Sequence, residues 1–276
     1  MKCPALSVPV DFACIQLAHT MKLNTPIISL LITFVLAACI GDRLELTVST
    51  CEEPGTIQSD RVSDPTQGFD ISFQAYLPPC YDKLESVYFP VIYLITMPFE
   101  SELHTDDNTP MSLLDRLIRA GKMPPAILIV PEDTIAQGYH AALAIDLVSY
   151  VDENYNTLRD RQYRGAGGVS HGAASAARMA FQFPDVFGSL GVFSGGIDKS
   201  EKPTFTTWID SSKNHPRVLI NIGDQDGIMP YTQNLLDVLD SKNIPYELNI
   251  DPGGHNWTFW SAHMESYLLW FAEAWK

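Results

Sequence analysis

Five consecutive residues, Gly168-Val169-Ser170-His171-Gly172, place a serine between two small residues in the pattern G-x-S-x-G. They follow Tyr163-Arg164-Gly165-Ala166-Gly167, which reads as a short strand. They precede Ala173-Ala174-Ser175-Ala176-Ala177-Arg178-Met179-Ala180, an alanine-rich stretch of helical propensity. A serine on a sharp strand-to-helix turn has a strained backbone, and glycines two before and two after it let the neighbouring chain pack closely enough for its hydroxyl to project. The first N–H groups of the following helix then face negative charge developing beside that hydroxyl. The bare pattern also occurs as a glycine-rich turn carrying an ordinary serine; strand before and helix after favour a nucleophile.

A serine hydroxyl at neutral pH attacks poorly, so the chemistry needs a histidine base and an acid to hold that base. Two carboxylates stand in Ile222-Gly223-Asp224-Gln225-Asp226-Gly227, just past the end of a strand-like run, where open α/β sheets place their sites. Asp226, deeper in the loop, is preferred to Asp224 as the acid; either could instead cap the next helix. Further on, Gly253-Gly254-His255-Asn256-Trp257 sets a histidine in a glycine loop between the last strand and the last helix. The resulting chain order, Ser170, Asp226, His255, is that of the α/β hydrolases. His263 falls within the last helix, and His104, His140 and His215 lie in segments with no comparable order.

These residues need a frame. Phe69 to Leu77 alternates apolar and polar residues as a half-buried strand does, and Pro78-Pro79 ends it. Pro90 to Ile95 and Ala126 to Val130 are continuous apolar runs of strand length, suited to a parallel sheet covered on both faces. Between them, Ser112 to Ala120 has helical spacing and stops at Gly121. A second helix is expected from about Ala141 to Tyr155, with Leu143, Leu147, Val148 and Val151 on one face. Beyond the serine helix, Ser189 to Phe193 and Arg217 to Ile222 read as strands. The polar stretch between them, about Gly196 to Pro216, is the best candidate for a lid or substrate-side insertion. A helix near Tyr231 to Leu239, a strand at Tyr246 to Ile250 and a helix from about Trp257 to Trp275 follow, the last carrying core residues Trp260, Met264, Tyr267, Leu268, Phe271 and Trp275. Strands alternating with helices, without repeats or a second domain, imply one doubly wound, mostly parallel sheet with helices on both faces.

The formal net charge of -15 argues against nucleic acid, because phosphate contacts draw their affinity from Lys and Arg clusters that this chain lacks. The apolar run Ile27 to Ala38, shortly after Met21-Lys22, is too short to span a bilayer comfortably but suits a secretory h-region. It ends Leu36-Ala37-Ala38-Cys39, which resembles the cleavage and lipidation signal of bacterial lipoproteins, with Cys39 as the acylated first residue; a non-lipidated signal peptide and an uncleaved anchor are the alternatives. Acyl chains there would hold the protein at a membrane surface without a spanning helix. Residues 1 to 20, before the more natural start at Met21, are an over-extended reading frame or a long n-region. The expected division is therefore a leader over residues 1–38, a linker over 39–50 and one catalytic domain over 51–276. Cys3 and Cys14 would leave with the leader and Cys39 would carry lipid, so Cys51 and Cys80 remain as a disulfide pair outside the cytosol. A zinc site is disfavoured, since no His or second Cys lies at ligand spacing from either residue.

The serine stretch through Arg178-Met179-Ala180-Phe181-Gln182-Phe183-Pro184-Asp185-Val186-Phe187-Gly188, the Gly223 to Asp226 loop and Gly254-His255-Asn256-Trp257 together resemble the bacterial "putative esterase" group of α/β hydrolases, which includes esterase D, feruloyl esterases and the antigen 85 mycolyltransferases. Ala75-Tyr76-Leu77-Pro78-Pro79-Cys80-Tyr81 resembles the first strand-to-loop segment of exported members, and the resemblance spans roughly residues 51 to 276. It implies the α/β-hydrolase fold, Ser170 as nucleophile, Asp226 as acid, His255 as base and the His171 N–H as one oxyanion donor, with no metal or organic cofactor. Members of the group usually follow the strand at Val91 to Ile95 with His-Gly and a second oxyanion donor, where this chain reads Thr96-Met97-Pro98. Proline has no N–H. The second donor would therefore be Phe99 or Met97 in a rearranged loop, or be lost at a cost of about 2.7 to 4 kcal/mol in the transition state, giving a weak or unusually selective enzyme. The expected function is a serine carboxylesterase acting on a small ester. An acyltransferase on the same three residues and a non-catalytic lipoprotein of the same fold are the alternatives.

Overall fold

The apolar runs become the strands of one eight-stranded sheet. In the computed structural model the described residues are 51, 53–63, 65–84, 86–96, 109–132 and 138–275, all within the unit Val48–Lys276. The expected leader, the lipidation site Cys39, the linker, and the Met97 and Phe99 donors lie outside the described residues. The strands are β1 (Thr56–Val62), β2 (Ile71–Leu77), β3 (Val91–Ile95), β4 (Ile127–Pro131), β5 (Arg164–Val169), β6 (Ser189–Phe193), β7 (Arg217–Gly223) and β8 (Glu247–Asp251). Their order is β1-β2-β4-β3-β5-β6-β7-β8. β1 and β2 pair antiparallel, as do β2 and β4, and every other neighbouring pair is parallel. The C-terminal ends of β3 to β8 therefore share one edge, and loops leaving it can meet.

β3 is buried at every position and β4 at all but one, which explains their unbroken apolar sequence. Helices cover both faces: α1 (Pro110–Arg119), α2 (Tyr139–Ala142), α3 (Val148–Asn154), α4 (His171–Gln182), α5 (Lys202–Ser211), α6 (Met229–Ser241) and α7 (Trp257–Glu273). One core, around Tyr93, Ala176, Phe181 and Phe205, lies against α4, and a second joins Leu114, Phe193, Met264, Tyr267 and Phe271 between the sheet, α1 and α7.

Three elements differ from the sequence expectation. β1 has the polar sequence TIQSDRV and is largely exposed; nothing apolar marks it, and its pairing with β2, Thr56 opposite Leu77, makes it a strand. The single helix expected from Ala141 to Tyr155 is α2 and α3 joined by a π-type turn over Leu143–Leu147. The wider turn leaves Asp146 buried, accepting the N–H of Gln67 at 2.9 Å and the hydroxyl of Thr66, so the β1–β2 connection is anchored to this helix.

The polar stretch at Gly196 to Pro216 is not a lid. A capping box, in which Asp198 accepts the Ser200 N–H and Glu201 accepts the Asp198 N–H, starts a 3-10 turn that runs into α5. Phe205 and Ile209, one turn apart, enter the core beside Phe181. The stretch is thus an ordinary crossover helix between β6 and β7.

Cys51 and Cys80 form a disulfide between residues 29 apart, with Cα atoms 6.0 Å from each other. Closing a loop of this length is worth about 3–4 kcal/mol in the chain-entropy account. Joint replacement, Cys51→Ser with Cys80→Ser, is expected to lower the urea midpoint correspondingly. Equal midpoints for the replaced and oxidised proteins would show that the bridge contributes nothing to stability.

Candidate active site

Ser170 joins β5 to α4 with φ 55° and ψ −121°, a left-handed backbone that a non-glycine residue holds only when its surroundings impose it. Two glycines impose it here. A Cβ on Gly172 would lie 2.1 Å from the Ile95 carbonyl oxygen at the end of β3, and a Cβ on Gly168 would lie 2.4 Å from the Gly172 carbonyl carbon. The turn is therefore pressed against β3 as tightly as backbone allows. The Ser170 N–H donates to the Phe193 carbonyl at 2.9 Å, tying the turn to β6, and His171 begins α4, where N–H groups stand outside the helix's own ladder.

The loops after β7 and β8 bring the other two residues to the serine. Ser170 Oγ is 2.8 Å from His255 Nε2. His255 Nδ1 is 3.0 Å from both Oδ1 and Oδ2 of Asp226. An ionised carboxylate can only accept, so Nδ1 of the neutral imidazole carries the proton and Nε2 accepts from the serine hydroxyl. The Asp226 side chain is 0% exposed while that of His255 is 31% exposed: the carboxylate is shut away and the imidazole faces solvent. Asp226 also accepts the Ile228 N–H at 3.0 Å through Oδ1. Asp224 takes no part in this chain of contacts, and accepts instead the Gly253 N–H at 3.0 Å.

Several supporting residues escape a reading of the sequence. Trp260 stands edge-to-face with His255, ring centroids 5.0 Å apart and planes at 89°. Its Nε1 is buried without a hydrogen-bond partner among the described residues, so what it offers the histidine is ring shape and π surface. Beneath the loops, the buried Asn221 on β7 donates to Asp251 Oδ2 at 2.6 Å and to the Asn249 carbonyl at 3.2 Å, and accepts from the Tyr267 hydroxyl on α7. Burial and the nearby Asp251 carboxylate push the Tyr267 phenol well above its ordinary pKa, keeping it a neutral donor. The available signal was Asn221 itself, a lone amide inside the apolar run Val218 to Ile222. The Cys51, Glu53 and Cys80 side chains lie together, but the two sulfurs are bonded to each other and offer no thiolate.

Residues 130–271 match the family described as "Putative esterase". The uncharacterized protein YbbA of Bacillus subtilis is 27% identical over 187 residues, covering 56% of this chain and 68% of its own length. The endo-1,4-beta-xylanase/feruloyl esterase of Xylanibacter ruminicola is 24% identical over 188 residues, 62% of this chain and 25% of that much longer protein. Among solved structures, the feruloyl esterase module from Clostridium thermocellum, complexed with sinapinate, superposes with a TM-score of 0.67 at 18% identity, covering 81% of this chain and 90% of the module. The shared fold is the α/β-hydrolase fold.

Proposed function

Because the chain belongs to the "Putative esterase" family, we propose that it is a serine carboxylesterase working through an acyl-enzyme on Ser170. The observation that carries this reading is the 2.8 Å contact from Ser170 Oγ to His255 Nε2, backed by Asp226 on the far side of the imidazole. His255 takes the hydroxyl proton as Ser170 attacks the ester carbonyl, and Asp226 stabilises the imidazolium that forms. The His171 N–H, at the start of α4, is one donor to the oxyanion; the second is Met97 or Phe99, or is lost because Pro98 has no N–H. Collapse expels the alcohol, which receives its proton from His255. Water, deprotonated by the same histidine, then releases the acid and restores the serine.

The assembled chain of contacts favours a working enzyme over a binding-only role. Feruloyl esterases among the relatives make esters of aromatic acids the first substrate class to assay. The Cys51–Cys80 disulfide and the expected leader over residues 1–38, with Cys39 directly after it, support export of the domain over residues 51–276 with a lipid anchor; no described helix is long and apolar enough to cross a membrane.

The direct test is hydrolysis of short-chain p-nitrophenyl esters and methyl ferulate by the purified protein beside Ser170→Ala, with and without an added alcohol acceptor. Turnover that disappears in the variant supports the esterase, and acyl transfer to the alcohol in place of acid release would reassign it as a transferase. Equal rates for the folded protein and its variant would overturn the reading. Within it, Trp260→Leu is expected to lower kcat/KM about two- to tenfold, the equivalent of one ring contact of about 0.5–1.5 kcal/mol. A wild-type kcat/KM in that variant would remove Trp260 from the account.

A further inference from the structure

Asp224 lies outside the Ser170–His255–Asp226 contacts, yet it holds the loop that carries His255. β7 and β8 end side by side, with Gly223 opposite Asp251, and the two chains continue together past the sheet. The Asp224 N–H donates to the Asp251 carbonyl at 2.8 Å and the Gln225 N–H to the Gly253 carbonyl at 2.8 Å. In the opposite direction the Gly253 N–H donates to Asp224 Oδ1 at 3.0 Å. Two residues further along each chain stand Asp226 and His255, so the side-chain clamp from Asp224 to Gly253 repeats, one step behind, the contact from Asp226 to His255.

The glycines at this crossing leave no slack. A Cβ on Gly223 would lie 2.3 Å from the Gly253 oxygen. Gly253 itself has φ +153°, and a Cβ there would lie 2.5 Å from the Phe259 ring. A backbone held this closely, and in a conformation that side chains rarely adopt, is held in place here by the Asp224 oxygen at a contact open to solvent. The acid is fixed from its own loop through the Ile228 N–H; the Asp224 carboxylate performs the matching task for the loop of the base.

We infer that Asp224 is a positioning residue that sets the His255 imidazole on Asp226 by accepting the Gly253 N–H. The inference rests on the reading of His255 as the general base. Its test compares Asp224→Ala with Asp224→Asn, which keeps an oxygen acceptor without the charge. Two readouts are needed: kcat and KM for ester hydrolysis, and the low-field proton resonance of His255 Nδ1–H against Asp226.

Asp224→Ala is expected to lower kcat about tenfold with KM within about twofold of wild type, and to weaken the low-field resonance. Asp224→Asn is expected to restore both. Unchanged kcat and resonance in Asp224→Ala would overturn the inference, as would an Asp224→Asn variant as impaired as Asp224→Ala. Should the wild type turn over no ester beyond Ser170→Ala, the esterase reading alone fails. The resonance then decides the clamp by itself: lost in Asp224→Ala and kept in Asp224→Asn, it stands, and kept in both, it falls.

Discussion

Ser170→Ala is expected to lower kcat/KM for any ester the protein hydrolyses by about 10⁴-fold or more, because the nucleophile and its base act as a unit. The fold should not change. Alanine carries the same Cβ as serine, so the strain at φ 55° is no greater, and the N–H that donates to the Phe193 carbonyl is retained. His255→Ala should cost a comparable factor, and the double variant little more than either alone. Multiplying losses would mean that the two residues act independently, which their 2.8 Å contact does not allow. A Ser170→Ala protein retaining more than about 1% of wild-type kcat/KM would exclude Ser170 as the nucleophile.

Gly172→Ala should produce the largest loss of stability from the smallest change in composition. The added methyl would meet the Ile95 carbonyl oxygen at 2.1 Å and its carbon at 2.7 Å, both of them main-chain atoms of a fully buried strand. Neither the helix start nor β3 can give way without moving the other, so about 3 kcal/mol of strain is expected, lowering Tm by about 6–12 °C for a domain of this size. The displaced end of β3 also leads into Thr96 and the residues beyond it, so hydrolysis should fall with stability. Gly227→Ala is the control. A Cβ there meets nothing within 4 Å, and its stability should stay within about 0.5 kcal/mol of wild type. If Gly172→Ala melts as Gly227→Ala does, the close approach of the serine turn to β3 is not what shapes the elbow.

How far the chain could be read from its letters depended on whether each element carries its own signal. β3 and β4 are buried on both faces, so their apolar runs announce them; α7 carries Trp260, Met264, Tyr267, Leu268 and Phe271 at helical spacing, and all five are buried. β1 carries no such mark. It exists because β2 offers it an edge, and pairing across a sheet is invisible to a local pattern. The Gly196 to Pro216 stretch was misleading for the opposite reason: its polar surface hid Phe205 and Ile209, whose four-residue spacing and the Asp198 to Glu201 capping box were the better evidence.

At the site, residue types and chain order were enough to nominate Ser170, Asp226 and His255, and the structure brings those three together. Choosing between Asp224 and Asp226 was a matter of loop depth, and the geometry shows what depth meant. Asp226 is buried against the imidazole, whereas Asp224 faces the backbone of the neighbouring loop. Trp260 and Asn221 could be recognised as neighbours of the site only once α7 and β7 were placed beside it.

The central claim is that Ser170 forms the covalent intermediate, and mass spectrometry tests it most directly. The protein would be treated with a fluorophosphonate, digested and mapped. The account predicts one adduct, on the peptide containing Ser170, absent from Ser170→Ala and much slower to form in His255→Ala. An adduct on another residue, or ester turnover by a protein that forms no adduct at Ser170, would contradict it.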